Sequence, residues 1–186
     1  DQDAISLIRN LPQITFDDQP HAQEHSIEVH IPFLQEIFPN FKILPLSVGN
    51  IPGEQVSEII EMLWGDDSTR FLISTDLSHY QNYETAKEID AITAKSIESF
   101  NHSSIGFDQA CGCIPVSGML IAAQKKKLRI KRLNLKNSFD TTNGFLKRDK
   151  VVGYGSWALF KDHGNSQEFS TENDLDILNR EGAMIF

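Results

Sequence analysis

Asp76 and His79 stand three residues apart in "STDLSHY" (74–80), directly after the apolar run Phe71-Leu72-Ile73. Histidine gains and loses a proton near neutral pH, and a neighbouring carboxylate fixes its tautomer and raises its basicity. In open α/β sheets, ligands bind just beyond the C-terminal ends of strands. An acid and a histidine at such an end are therefore candidates for acid/base chemistry. The structural alternative is that Asp76 caps the following turn and His79 packs at its edge.

A second stretch, "ACGCIP" (110–115), holds both cysteines, Cys111 and Cys113, ahead of a predicted helix. Exposed N–H groups at a helix start favour thiolate, which is both a nucleophile and a soft metal ligand. Gly112 allows a sharp backbone turn. Cys111 is the stronger candidate for reactivity, because core packing is the common fate of a free cysteine. A third stretch, "HAQEHSIEVH" (21–30), is dense in histidine and glutamate. His25 and His30 lie about 140° apart on a helix, so they share no face. The HExxH zinc pattern, with histidines at i and i+4, is absent here. Glu24, His25 and His30 are expected to form one wall of a site, or else a plain polar face, and Cys113 to line the same cleft, or else to pack in the core. "KKKLRIKR" (125–132) reads as a solvated helix end, where cations are favourable. The glycines of "GYGSW" (153–157) mark close backbone packing or an opening beside a ligand.

These residues need a scaffold. The chain has 186 residues, 40% hydrophobic and 9% aromatic, and carries a formal net charge of −9. That length supports one core, and that charge argues against a general nucleic-acid binder. No apolar run approaches the roughly 20 residues of a membrane span. Two cysteines one residue apart offer no disulfide framework, so a reducing, cytoplasmic setting is expected.

Apolar spacing predicts helices over 1–11, 24–38, 84–100 and 115–127, and another around Val56, Ile59, Ile60 and Leu63. Pro32 should bend the second or mark an early turn, and Pro115 suits a first turn. Strands are predicted over 41–49, 70–77, 128–135 and 151–160, with a polar loop over 136–149. The alternation implies an α/β fold with a mixed, mostly parallel sheet. Residues 161–186 turn acidic and thinly apolar. They are expected to be a tail or linker with a helical turn near Leu175 and Leu178.

Four stretches together, "EHSIEVHIPFL" (24–34), "STDLSHY", "ACGCIP" and "GYGSWAL" (153–159), resemble the Memo family, called AmmeMemoRadiSam system protein B in prokaryotes. The resemblance spans residues 20–160. It implies a layered α/β/α domain similar to the class III extradiol dioxygenases. It also implies a metal site of two histidines and one cysteine, here Cys111, with Asp76 and His79 lining the same cleft. The implied metal is iron (Fe2+), with another divalent metal or copper as alternatives. The family name implies radical-SAM and AMMECR-type partners. The family's histidine stretches, resembling "PHAGY" and "PSHH", have no counterpart here. Residues 1–160 are thus expected to be a Memo-like domain lacking its N-terminal part. Many members carry Arg where this chain has Cys113, which weakens any anionic-substrate role.

Three functions compete. The first is a metal-dependent redox enzyme, dioxygenase-like, with Cys111 as ligand and His79 moving protons. The second is a peptide-binding adaptor using the same cleft, as Memo proteins of higher organisms are described. The third is a Cys-His hydrolase built on Cys111 and His79.

Overall fold

A computed structural model describes residues 1–38, 40–66, 68–142, 145, 147–161 and 182–185. Six helices and five strands are present among them: α1 Gln2–Ile8, α2 Ile31–Ile37, α3 Gly53–Leu63, β1 Phe71–Ile73, β2 His79–Gln81, α4 Tyr83–Glu98, α5 Cys113–Lys125, β3 Arg129–Asn137, α6 Ser138–Thr141, β4 Val151–Phe160 and β5 Gly182–Ile185.

β4 is the spine. β3 runs antiparallel along one side of it, from Arg129↔Phe160 to Asn137↔Gly153. β2 and β5 pair with it antiparallel on the other side, and β1 joins β5 in parallel. The fold is α/β, as expected. The sheet is mixed, but its pairs among the described residues are mainly antiparallel rather than mainly parallel. The reason lies in the connections. Among the described residues of 138–150 the single turn of α6 is the one helical element, and the chain returns alongside β3, as an antiparallel neighbour allows. β1, whose continuous apolar run suggested a parallel strand, does make the one parallel pair. β5 comes from the end of the segment expected to be a tail. The helical turn expected near Leu175 and Leu178 lies outside the described residues.

α3, α4 and α5 share one core with the sheet: Ile60 of α3, Ile97 of α4, and Val116, Met119 and Leu120 of α5 meet Trp157 and Leu159 of β4. α5 is apolar nearly all round, as a fully packed helix must be. It comes close to α3 because Gly118 has no side chain; a Cβ there would lie 2.5 Å from Val56.

Local chemistry explains the shifted boundaries. α2 begins at Ile31 rather than near Glu24, with Pro32 in its first turn, where the missing N–H costs nothing. β1 ends at Ile73, and residues 41–49 run without a strand assignment; Pro45 there removes one ladder donor. β3 extends to Asn137, whose side chain closes a capping box with Asp140 and starts α6 inside the expected loop. No helix among the described residues is long and apolar enough to cross a membrane.

Candidate functional site

Beyond Ile73 the chain leaves the sheet and is re-anchored four residues later. The Leu77 N–H donates to the Gly153 carbonyl at 2.9 Å, and the Gly153 N–H donates to the Ser78 carbonyl at 2.8 Å. Leu77 is fully buried, so Asp76, its predecessor, points the other way, toward solvent. Thr75 ties this bend to the start of α5. Its Oγ1 accepts from the Gly112 N–H at 2.8 Å and donates to the Asp76 carbonyl at 2.7 Å. Gly112 is required by the close approach: a Cβ would lie 2.8 Å from both the Ser74 carbonyl oxygen and Thr75 Cβ.

Cys111 is held by the same bend. Its N–H donates to the Asp76 carbonyl at 3.3 Å, and the Asp76 N–H donates to its Sγ at 3.3 Å. Thr75 Oγ1 lies 3.7 Å from that sulfur. Cys111 is exposed, Cys113 is buried, and both are free thiols. Cys113 packs in the core at the first position of α5, and burial pushes its thiol up. The contrast separates a thiol that faces the cleft from one that fills the core.

His79 Nε2 sits 3.8 Å from Asp76 Oδ2, both side chains being partly exposed. That is an ion-pair distance, too long for a hydrogen bond. Burial raises the Asp76 carboxyl above its ordinary value, while the nearby His79 opposes the shift. The Tyr154 phenol is also raised, by burial first and then by the Asp76 charge, which places it in the same electrostatic neighbourhood. Tyr80 follows His79 with φ of 55°, a left-handed conformation rarely adopted by a bulky residue. Its ring centroid lies 5.9 Å from that of His79.

His30, at the N-cap of α2, reaches across to the end of β1, with Nε2 3.0 Å from Ser74 Oγ. Burial lowers its pKa, which favours the neutral ring. His25 is exposed and engages Glu28 at 2.6 Å. Glu24 accepts from the Ser26 N–H at 2.9 Å, and this bond, foremost, holds its carboxyl below the usual range. Glu24, His25 and His30 all line one open cavity of about 1920 Å³, as do Asp76 and Cys111. His79 and Cys113, expected on the same cleft, are not among the residues that line this cavity. Within the basic stretch, Lys125 pairs with Glu61 at 2.6 Å, Arg132 pairs with Glu98 at 3.2 Å, and Lys126 stacks on Trp64 at 4.6 Å. Those contacts describe a neutralised surface.

Sequence reasoning passed over Thr75 and Tyr154. Thr75 lay inside the quoted motif but carries no proton chemistry of its own; its role is to join two segments far apart in sequence. Tyr154 stood between glycines that drew the attention first.

The donor set gives a plain answer about metal. Among the described residues no group of three or more His, Cys, Asp or Glu side chains is arranged to hold an ion. Cys111 offers one sulfur, and its nearest site acid, Asp76, meets it through backbone rather than carboxylate. The described residues do not by themselves fit an iron site.

The Memo-like protein family model matches residues 1–158. A MEMO1 family protein of Methanosarcina mazei is 36% identical over 154 residues, covering 75% of this chain and 56% of the relative. MEMO1 family protein TV1383 of Thermoplasma volcanium is 35% identical over 162 residues, covering 82% and 59%. A MEMO1 family protein of Metallosphaera sedula is 32% identical over 155 residues, covering 76% and 53%. The chain thus spans little more than half the length of these curated relatives. With the strand-end pair, the thiol and the glycine-rich strand all inside the matched span, the chain belongs to the Memo family.

Proposed function

We propose that this chain supplies a thiolate, Cys111, and an acid/base pair, Asp76 and His79, to a metal-dependent redox site of dioxygenase-like character. Iron is the proposed metal, with ligands other than Cys111 coming from outside the described residues. Radical-SAM and AMMECR-type proteins are the proposed pathway partners. The observation that carries the reading is the placement of the Cys111 sulfur. It is exposed at the cavity, yet fixed by the Asp76 N–H at 3.3 Å. A structural thiol would be buried like Cys113. His79 is the group that takes or gives a proton, with the Asp76 carboxylate 3.8 Å from its Nε2. The test is iron content of the full-length gene product, purified without oxygen and supplied with Fe2+. Near-stoichiometric iron that is lost in Cys111→Ser and kept in His79→Ala supports the assignment. Iron retained in Cys111→Ser sinks it.

One observation favours a second reading, a non-catalytic adaptor. The cavity is broad, and Ile37, Phe41, Ile43 and Leu46 line it while 39–45% exposed. An extended peptide with apolar side chains would cover such a wall. Peptide binding that survives both Cys111→Ser and His79→Ala would favour this reading.

A further inference from the structure

Asp90 is the one carboxylate of α4 that faces inward. It is 3% exposed, in the middle of a helix whose other acids are on the surface. A buried carboxylate is costly unless it is hydrogen-bonded. Its Oδ1 accepts from the backbone N–H of Ser78 at 3.0 Å. Ser78 is fully buried and immediately precedes His79. Its carbonyl is in turn held by the Gly153 N–H at 2.8 Å. Both polar groups of the Ser78 backbone are therefore taken, one by α4 and one by β4. The next residue is His79, which pairs with Val152 across a bulge, followed by Tyr80 at φ of 55°.

Gly153 is part of the same arrangement. A Cβ at this position would collide with Asp90 Oδ2 and lie 2.5 Å from Cγ. The carboxylate thus occupies the space a side chain on β4 would fill. Here the glycine of "GYGSW" serves the acid of another element, and nothing at the cleft itself. Burial raises the Asp90 carboxyl, while the Ser78 N–H, foremost, and the His79 charge oppose the shift.

We infer that Asp90 is a positioning residue for His79: its carboxylate pins the Ser78 N–H and so fixes the bend that presents the His79 ring to Asp76. Asp90 makes no contact with substrate; it acts through the backbone. The inference rests on His79 being the working acid/base group of the proposed site, but its test does not use that activity.

The experiment is NMR on 15N-labelled full chain, with His79 identified through His79→Gln. In the unmutated protein the Ser78 amide should exchange slowly. A Ser78 amide that exchanges as fast as exposed amides overturns the inference before any acidic variant is made. In Asp90→Ala, Ser78 exchange should quicken by about 10- to 100-fold, as loss of a charge-assisted bond implies. The His79 ring nitrogens should move toward the shifts of a freely rotating imidazole, while amides of α3 and β3 stay unchanged. Asp90→Asn keeps an acceptor at the same reach and should restore the ring signature. If Asp90→Ala does not fold, Asp90→Glu, longer by one methylene, takes its place and should displace the His79 signals. An unchanged His79 signature in a folded Asp90→Ala or Asp90→Glu protein refutes the positioning role. Failure of the iron assay with an intact Asp90 effect would instead refute only the proposed function.

Discussion

Removing one oxygen from Thr75 should loosen the junction between β1 and α5. Thr75→Val keeps the shape of a side chain that is 7% exposed and deletes only Oγ1. That atom accepts from the Gly112 N–H at 2.8 Å and donates to the Asp76 carbonyl at 2.7 Å. Valine leaves the Gly112 donor enclosed without its partner. An unsatisfied buried donor costs roughly 1–3 kcal/mol, and the second lost bond adds about 1 kcal/mol or less because the Asp76 carbonyl keeps the Cys111 N–H. Thr75→Val should therefore lose about 1–4 kcal/mol in urea unfolding, with the midpoint shifted and the slope unchanged. Thr75→Ser keeps the hydroxyl and loses one buried methyl, so it should lose only about 1 kcal/mol. The same pair should separate in chemistry. Valine frees the segment that holds Cys111, and the rate of iodoacetamide labelling at Cys111 should change in Thr75→Val and stay near wild type in Thr75→Ser. Equal destabilisation by serine and valine would show that the methyl, rather than the hydroxyl, joins the two segments, and the reasoning would fail.

Other perturbations follow the same geometry. Gly112→Ala places a Cβ against the Ser74 carbonyl and Thr75, so it should cost about 1–3 kcal/mol and alter Cys111 labelling; thermal melts and labelling rates measured together would check it. Gly118→Val should cost at least as much by forcing α3 from α5, since even a Cβ lies 2.5 Å from Val56, but should leave Cys111 labelling within about twofold in any protein that folds. Asp90 has its carboxyl raised by burial. The folded state therefore binds the proton more tightly than the unfolded state, and the Asp90 contribution to stability is greatest below the ordinary carboxyl value of 3.8 and is lost as pH rises through the folded value. Unfolding free energies measured upward from pH 3.8 should fall less steeply in Asp90→Asn than in wild type; an unchanged slope would contradict the buried, proton-holding carboxyl.

Much of the site could be read directly from residue types. The strand-end rule drew attention to Asp76, which lines the cavity, and to His79, which stands 3.8 Å from it and is not among the cavity-lining residues. Position ahead of the helix start leaned toward Cys111 over Cys113, two residues on, and the former is the exposed thiol and the latter the buried one. What sequence did not disclose were the links between distant segments. Thr75 to Gly112 and Asp90 to Ser78 are side chain–backbone bonds, and no periodicity encodes them. The sheet's direction was misjudged for a related reason. A run of apolar residues reports burial on both faces but not the direction of its neighbour, which depends on connections such as 138–150. The helix expected from Glu24 was cut short because apolar offsets alone do not locate a start, whereas Pro32 in the first turn does.

The central claim is that Cys111 is the protein's own contribution to a metal centre, with His79 beside it but not on it. Iron K-edge X-ray absorption of the full-length gene product, loaded anaerobically with Fe2+, measures this most directly. The account predicts a sulfur neighbour in the first coordination sphere of the wild type, absent from Cys111→Ser and still present in His79→Ala. A first sphere without sulfur in the loaded wild-type protein would contradict it.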